Sequence, residues 1–280
     1  MPTRTARLGA VALCAVCLLL PFAGSAAAKP RAHANVIGGT PATLQDWGFT
    51  AAVIGPSTLC TGSVLSPTKV LTAAHCVGNL STMLVRTNST SAYAGGEVST
   101  VASAALDPAW MHGFQNDVAV LTLSTPTSAP TIQLASPQED SAYTRAGSPL
   151  GVAGFGDRNP LIVGKPQVGL LTSADVLSHN CIAPTWVICD SGGRAGVAIR
   201  RFRGHKRRHK VQKAICQGDS GGPLVARTPN GARLVGIAEA SSSPTKRNPF
   251  FFVHCGLKGF PSIHSRVASY LGFIQGNIGP

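Results

Sequence analysis

The side chains with the clearest potential for chemistry lie in segment 218–223, which reads Gly-Asp-Ser-Gly-Gly-Pro and centres on Ser220. A serine hydroxyl is a weak nucleophile at neutral pH, so it needs an adjacent base and hydrogen-bond donors for the negative charge that follows attack. Flanking glycines allow backbone conformations in which successive N–H groups point into one concavity. A glycine-rich turn would explain a shorter match of this kind. The complete hexapeptide favours a catalytic serine.

Two further segments carry side chains that could activate this serine. His75 lies in segment 71–76, Leu-Thr-Ala-Ala-His-Cys, and Asp117 lies in segment 116–121, Asn-Asp-Val-Ala-Val-Leu. A histidine can accept the serine proton, and an aspartate can hold the imidazole in the required tautomer. Taken singly, His75 fits a partly buried structural histidine, and Asp117 fits a turn residue or helix cap. Their order and their motifs together favour catalysis.

The three motifs resemble those of the chymotrypsin-like serine proteases of the trypsin fold, which share the chain order His, Asp, Ser. Similar landmarks run from Val36 to the C-terminus. The resemblance implies an all-β fold of two six-stranded antiparallel β-barrels, with the active site in the cleft between them and a C-terminal helix. It also implies that His75, Asp117 and Ser220 form a catalytic triad.

The same resemblance gives roles to backbone groups and to partners. The backbone N–H groups of Gly218 and Ser220 are expected to form the oxyanion hole. Peptide bonds would be hydrolysed through an acyl-enzyme, with protein or peptide substrates and a monomeric enzyme. An esterase or lipase with the same residue types would place them in a different chain order.

The elements that must position these residues are predicted to be mostly strands. The chain has 280 residues, of which 44% are hydrophobic, enough for one large or two small cores. Short β-branched runs between turn signals predict strands at 50–54, 62–65, 70–73, 83–86 and 118–123. Four apolar residues at helical spacing predict the C-terminal helix; they are Val267, Tyr270, Leu271 and Ile274.

The first 28 residues predict a secretory signal peptide. Arg4 and Arg7 precede an apolar run at 8–20, and small residues follow at 24–28. The run is short for a membrane span, so an anchor is the weaker interpretation. We expect a short propeptide at 29–35 and a protease domain at 36–280, with a basic loop insertion at 194–213. The protein is expected to be secreted and extracellular, in an oxidising environment.

The segment that begins at Val36, Val-Ile-Gly-Gly, resembles the mature N-terminus of the family. In the family the freed α-amino group pairs with the acid before the catalytic serine, which is Asp219 here. Because a buried charge without a partner is costly, the uncut precursor is expected to be poorly active. The residue before the cut, Asn35, differs from the Arg or Lys that trypsin-like activators prefer.

Six of the eight cysteines follow the predicted signal peptide. The number alone leaves many connectivities open. The resemblance implies the pairs Cys60 with Cys76, Cys181 with Cys189, and Cys216 with Cys255. A metal cluster is disfavoured because closely spaced cysteine pairs with matching histidines do not occur after the signal peptide, and we expect neither a metal nor a cofactor.

By the same resemblance, Ala214, Ser241 and Ser262 occupy the specificity pocket. Trypsins have an aspartate at the position of Ala214, so cleavage after Lys or Arg is not expected. An alanine floor with serine walls predicts a preference for small to medium uncharged side chains.

Glu239 departs from the family, which usually has a serine there that hydrogen-bonds the catalytic aspartate. Two close carboxylates do not both ionise easily, so one of them should keep its proton. The alternative is that the strand shifts and Glu239 points to solvent or to a basic side chain.

The insertion concentrates the positive charge. Nine of the 20 Lys and Arg residues from Val36 onwards lie at 194–213, which has no acidic residue, and the other 11 are balanced by 11 acidic residues. Such a run is expected to be a solvated, flexible loop. Its core, from Arg200 to Lys210, could instead dock a polyanion or an anionic surface, or select acidic substrates. Few aromatic residues accompany the charges, so specific nucleic-acid binding is not expected.

One alternative to the protease interpretation stays open: the protein could be a catalytically weak homologue that binds a polyanionic partner through the basic insertion.

A second enlarged loop lies at 242–254 and has three consecutive phenylalanines. They are expected to pack beneath the insertion or to contact substrate.

Overall fold

The computed structural model describes residues 1, 36–113, 115–157, 169–181, 185–202, 205–241, 255–256, 258–259 and 261–279, with side chains at 197–207, 209 and 241 left out. The chain divides into two units after Arg31, and every described residue from Val36 onwards belongs to the second unit, Ala32–Pro280. The predicted signal peptide and propeptide, and the loop at 242–254, lie outside the described residues. No helix in the described part is long and apolar enough to cross a membrane.

Strands dominate the described chain. They are β1 Thr40–Pro41, β2 Thr50–Ile54, β3 Leu59–Ser66, β4 Lys69–Thr72, β5 Leu84–Thr87, β6 Glu97–Leu106, β7 Ala119–Leu123, β8 Gln133–Leu134, β9 Pro149–Gly154, β10 Thr172–His179, β11 Val187–Gly192, β12 Arg194–Phe202, β13 His205–Gln212, β14 Pro223–Thr228, β15 Gly231–Ser241 and β16 Ser262–Arg266. The α-helices are α1 Leu44–Trp47, α2 Pro137–Tyr143 and α3 Leu271–Ile278, and 3₁₀ turns occur at Ala74–Cys76, Leu80–Thr82 and Val267–Tyr270.

Two closed antiparallel barrels form the body of the molecule. The first runs in the order β2-β3-β4-β7-β6-β5, and β5 pairs back to β2. The second runs β9-β10-β11-β16-β15-β14 and closes through the pairing of β14 with β9. β1 and β8 extend it by pairing with β10 and β15. The prediction of an all-β fold with two six-stranded barrels and a C-terminal helix is confirmed.

The apolar runs at 50–54, 62–65, 70–73, 83–86 and 118–123 coincide with β2, β3, β4, β5 and β7, although β3 begins three residues earlier than predicted. They form strands because their branched and apolar side chains fill the barrel interior, where Val53, Val64 and Leu121 are almost fully buried. Strand β6 has no such signal, since its sequence is rich in serine, threonine and alanine. Its place is set by pairing with both β5 and β7.

The C-terminal segment carries the chain from the second barrel back to the first. The 3₁₀ turn Val267–Tyr270 leads into α3, which packs against β7. The buried residues Val267 and Ile274 lie in the same apolar cluster as the first-barrel residues Val120 and Leu121. The predicted helix is confirmed, and it supports the chain just after Asp117.

The basic insertion is not an irregular loop. Strands β12 and β13 form a separate two-stranded antiparallel hairpin, and we call it the basic hairpin. Its register places Arg200 opposite Arg207, and Arg201 opposite Lys206. Backbone pairing therefore orders a segment that the charge pattern alone suggested to be a flexible loop.

The three disulfides implied by the resemblance are present; they join Cys60 to Cys76, Cys181 to Cys189, and Cys216 to Cys255. The first ties β3 to the turn that carries His75. The third ties the segment before Ser220 to the described residues after the 242–254 loop. Two of the three bonds therefore restrain the neighbourhood of the predicted catalytic residues.

Candidate active site

His75 and Asp117 are joined in the first barrel by two hydrogen bonds. The backbone N–H of His75 donates to Asp117 Oδ1 at 2.8 Å, and His75 Nδ1 lies 2.5 Å from Asp117 Oδ2. Asp117 is 1% exposed and His75 is 37% exposed at the side chain. Because a carboxylate only accepts, the proton between them belongs to Nδ1, which leaves Nε2 free to accept one.

Local turns set the directions of the His75 and Asp117 side chains. His75 sits in the 3₁₀ turn Ala74–Cys76, whose last residue is held by the disulfide to Cys60. Asp117 follows Asn116, which has a left-handed backbone with φ of 60° and whose N–H donates to Tyr270 Oη at 3.3 Å. Asparagine is one of the residues that tolerates this conformation. The left-handed backbone of Asn116 directs Asp117 into the interior just before β7 begins.

Ser220 is presented by two glycines in the left-handed region. Gly218 has φ of 94° and Gly221 has φ of 80°. A Cβ on Gly221 would lie 2.1 Å from Thr72 Oγ1, so a side chain there would have to displace β4. Backbone bonds fix the loop across the two barrels, because Thr61 N donates to Ser220 O at 2.8 Å. The hexapeptide is thus a turn, but one held rigidly against the His75 side of the cleft.

The Ser220 hydroxyl points toward the wall strand. Its Oγ donates a long hydrogen bond of 3.4 Å to the carbonyl oxygen of Glu239. His75, Ser220 and Glu239 all line one cleft. In uncomplexed proteases the bond from a catalytic serine to its histidine is often long or poorly aligned and tightens only when substrate is present.

Two backbone N–H groups beside Ser220 are available to stabilise negative charge. The amides of Gly218 and Ser220 make no hydrogen bond to the residues that the structure describes, whereas the intervening Asp219 N donates to Cys216 O. Paired free donors next to a nucleophile are the arrangement required of an oxyanion hole. The oxyanion hole of Gly218 and Ser220 stays a prediction with which these two unbonded amides agree.

Asp219 is buried in the second barrel with no exposed surface. Its carboxylate accepts hydrogen bonds of 2.8 Å from the N–H groups of Gly156 and Cys216. Burial raises the pKa of Asp219 to about 7, and the nearby charge of Asp157 adds to the rise, although the two amide bonds oppose it. The uncut chain thus buries this acid beside two neutral donors.

The hydrogen bonds described for the uncut chain do not include one between Val36 and the Asp219 carboxylate. The N–H of Val36 donates to Thr172 Oγ1 at 2.5 Å, and the residue is completely buried. Before cleavage this nitrogen is a neutral amide, so it has no charge to offer a carboxylate. The pair of Val36 with Asp219 remains a prediction for the cleaved protein.

Glu239 points inward. It is 2% exposed, Ser265 Oγ donates to its Oε1, and its Oε2 has no partner among the described residues. Burial raises the pKa of Glu239 well above its usual value, and the negative charge of Asp117 raises it further. Of the two interpretations of Glu239, the structure supports the one in which two carboxyl groups are close.

The cleft has a volume of ≈ 680 Å³. Its walls come from both barrels, and its members include Ile54, Leu59, Tyr93, Ile215, Ala240 and Cys255. No sequence motif pointed to Tyr93, which reaches the cleft from the loop after β5. Apolar residues predominate, which suits an extended peptide with uncharged side chains.

Two of the three residues predicted to shape the specificity pocket are buried beneath the cleft. Ala214 and Ser262 have no exposed area. Ala214 forms a backbone bridge with Ile37, and Ser262 Oγ accepts from Ile215 N at 3.4 Å. The side chain of Ser241 lies outside the described residues, so the pocket remains a prediction.

One group of potential metal ligands is compact in the described residues, consisting of Cys60, His75 and Cys76. The two sulfurs are joined in a disulfide, so neither is a thiolate, the form of cysteine that binds metals. His75 meanwhile uses Nδ1 for Asp117. The donor set therefore suits proton transfer better than metal binding.

Comparison with known proteins extends the similarity over both barrels. The family model described as Trypsin matches residues 36–274. Trypsin of Saccharopolyspora erythraea is 26% identical, with 87% of this chain and 98% of that protein covered. Trypsin alpha-4 of Lucilia cuprina is 28% identical, with 92% and 93% covered. Chymotrypsin-C of Bos taurus is 26% identical, with 91% and 94% covered.

Proposed function

Because the chain belongs to the trypsin family of chymotrypsin-like serine endopeptidases, we propose that Ser220, activated by His75 and Asp117, carries out its peptide hydrolysis. Ser220 attacks the scissile carbonyl, His75 takes the proton and returns it to the leaving amine, and Asp117 stabilises the imidazolium. The N–H groups of Gly218 and Ser220 bind the oxyanion. Water then hydrolyses the acyl-enzyme by the same proton transfers in reverse roles.

The observation that carries this proposal is the double hydrogen bond between His75 and Asp117 at the edge of the cleft that contains Ser220. It leaves Nε2 as the free nitrogen of the imidazole, which is the state required of a general base. The three cystines and the predicted signal peptide support the further proposal that the enzyme is secreted and works outside the cell.

A fluorophosphonate probe tests the proposed nucleophile directly. Purified protein that begins at Val36 should be labelled on Ser220, as located by mass spectrometry, and His75→Ala should lose the label. The thermal unfolding transition of each sample controls for folding. Absence of label on folded protein with a free Val36 amino group would refute the proposal and favour the catalytically weak homologue.

The substrate preference follows from the predicted pocket. We expect substrates with Ala, Val or Leu before the cut to exceed those with Lys or Arg by about 10²-fold or more in kcat/KM, because a buried cation without a partner is costly. A peptide series that varies this one residue measures the ratio. Ala214→Asp is the matched variant and should shift the preference toward Lys and Arg. Efficient cleavage after Lys or Arg by the unchanged enzyme would contradict the pocket.

A polyanion is the second partner that we propose, and the basic hairpin supports it. Like charges directly opposite each other destabilise a strand pair, and the register sets Arg200 against Arg207 and Arg201 against Lys206. An isolated two-stranded hairpin is itself marginally stable in water. A bound polyanion would relieve the repulsion that this register imposes.

The base of the basic hairpin adjoins the cleft. Gln212 N donates to Gly256 O at 2.7 Å, and the preceding residue Cys255 lines the cleft. Arg208 and Lys210 are exposed. An anion bound at Lys210, two residues from this base, would therefore lie nearer the cleft than one bound at the far end of the hairpin.

A matched pair of variants tests this docking. Arg200→Gln with Arg207→Gln should lower the salt concentration that elutes the protein from heparin, since fewer counterions are released on binding. Arg145→Gln with Arg227→Gln removes the same charge from exposed positions elsewhere and should change elution much less. Equal shifts in both double variants would mean that only net charge matters and would contradict a specific docking site.

A further inference from the structure

Glu239 occupies an unusual position in the wall strand of the active site. The register of β15 with β16 shifts between Ala238, which faces His264, and Ala240, which faces Ile263. Glu239 is thus the extra residue of a β-bulge. Bulges redirect side chains and are frequent beside active sites. Here the bulge turns a carboxyl group into the interior while the carbonyl oxygen of the same residue accepts from Ser220 Oγ.

The hydrogen bonds around Glu239 can be assigned atom by atom. Ser265 has one hydroxyl proton, and it is donated to Glu239 Oε1. Ser265 is also hydrogen-bonded to the phenol of Tyr270, whose oxygen accepts from Asn116 N. Oε1 is therefore an acceptor. If Glu239 carries a proton, that proton is on Oε2, the atom without a partner among the described residues.

The titratable groups that face Glu239 come from three other elements. Asp117 lies just before β7, and Tyr270 belongs to the 3₁₀ turn before α3. His75, which is hydrogen-bonded to Asp117, lies in the 3₁₀ turn Ala74–Cys76. Tyr270 is neutral at physiological pH, and burial raises its pKa further, to about 12. No cation in the described part of the chain contributes to the titration of Glu239. Apart from the Ser265 hydroxyl, the described surroundings offer no group that would stabilise a second anion beside Asp117.

The two acids differ in how well they are stabilised as anions. Asp117 accepts two hydrogen bonds from His75, and one of its donors becomes a full positive charge when His75 takes the serine proton. Glu239 accepts a single bond from a neutral hydroxyl. Glu239 is therefore the member of the pair that keeps the proton, as expected for an acid in the less favourable of two unequal surroundings.

We propose that Glu239 acts as a neutral carboxylic acid whose Oε2–H stabilises and orients the Asp117 carboxylate. It is a positioning residue, since it acts on the reaction through Asp117 and His75. This role rests on the proposed function of the triad. A neutral donor leaves the single negative charge that the imidazolium needs, whereas an ionised Glu239 would add a second one, strengthen the hold of His75 on its proton and slow the transfer to the leaving amine.

Two substitutions of similar length separate this role from space filling. Glu239→Gln keeps an acceptor for Ser265 and a neutral N–H donor for Asp117, and it should lose no more than about threefold in kcat. Glu239→Met is unbranched and has no donor, and we expect kcat to fall by about tenfold or more at similar KM, the usual size for a lost hydrogen bond to a charged group. The informative quantity is the ratio of kcat in Glu239→Gln to kcat in Glu239→Met.

The protonation state of the Glu239 carboxyl can be measured without relying on activity. Infrared spectra of wild type and Glu239→Gln at neutral pH should differ by the carbonyl band of a protonated carboxylic acid, and protonated carboxyls elsewhere cancel in the difference. This measurement keeps the proposal testable if Glu239→Met does not fold. It also separates the protonated state of Glu239 from the proposed triad function. An inactive wild type with this band would refute the triad function and leave the protonated Glu239 in place.

Three results would overturn the proposal. A carboxylate band in place of the carboxylic acid band would show that Glu239 is ionised. A loss in Glu239→Gln as large as that in Glu239→Met would show that the negative charge is needed. Equal and high activity of both variants would show that the side chain only fills space. The expected result is an acid band, a nearly active Gln variant and an impaired Met variant with an unchanged unfolding midpoint.

Discussion

Replacing Ser220 with alanine in the cleaved enzyme is expected to lower kcat for peptide hydrolysis by about 10⁶-fold. In the proposed mechanism the hydroxyl of Ser220 forms the acyl-enzyme, so its removal abolishes the covalent route. A residual rate above that in water should persist, since the N–H groups of Gly218 and Ser220 remain in place. Single-turnover kinetics with a chromogenic peptide measure both rates.

The matched control is Ser141→Ala. Ser141 is exposed on α2, does not line the cleft and has no predicted role in the reaction. It should retain the wild-type rate within about twofold, because surface substitutions away from functional contacts have small effects. His75→Ala should be as damaging as Ser220→Ala, and combining the two should cost little more, since triad members act as a unit. A Ser220→Ala enzyme with substantial activity would mean that the nucleophile lies elsewhere.

The residues of the proposed triad could be located in the sequence because each of them lies in a short motif that forms a local turn. His75 depends on a 3₁₀ turn and a disulfide, and Ser220 depends on two left-handed glycines. Most of these features are set by residues within a few positions of the functional atom. The motifs do not contain the long-range pairing that brings the two barrels together, and that information came from the family resemblance.

The features that could not be predicted from sequence depend on register. Glu239 is directed inward by a bulge that exists only in the pairing of β15 with β16. The basic hairpin forms although its charges favour a solvated loop, because its two halves can still satisfy each other's backbone groups. Strand β6 has only three large apolar side chains, those of Val98, Val101 and Leu106, and is defined by its neighbours. In each case a tertiary contact outweighs the local preference of the chain.

Cleavage before Val36 is expected to raise activity by about 10²- to 10³-fold, because the new ammonium group provides the partner that buried Asp219 lacks. In the uncut chain Val36 N donates to Thr172 Oγ1, and Thr172 pairs with Gly154 across β10 and β9. The backbone of Gly154 lies against Asp219, because a Cβ there would lie 2.2 Å from Asp219 Oδ1. The freed end therefore starts from the pair of strands that packs against Asp219, and it must move to reach the carboxylate.

The predicted ion pair of the Val36 ammonium group with Asp219 also indicates how the free energy of unfolding depends on pH. In the uncut chain the pKa of Asp219 is raised from 3.8 to about 7, so the folded state binds a proton that the unfolded state releases between these values. The free energy of unfolding should therefore fall as pH rises from about 4 to about 7, by about 4 kcal/mol in total. After cleavage the ammonium group lowers the pKa of Asp219, and this loss should disappear. The cut form is thus expected to be the more stable one at about pH 7 to 8 and to lose that advantage toward about pH 4.

A Ser220→Ala background prevents self-digestion and allows both forms to be compared. A site-specific protease sequence placed before Val36 yields the cut form with a native amino terminus, and urea unfolding at several pH values measures the stability of each. Asp219→Asn is the matched variant, and it should flatten the pH dependence of the uncut chain and remove the gain on cleavage. If the cut and uncut forms with Asp219 instead show the same pH dependence, the ammonium group does not reach this carboxylate, and the oxyanion loop must be set in both forms by the amides of Gly156 and Cys216 alone.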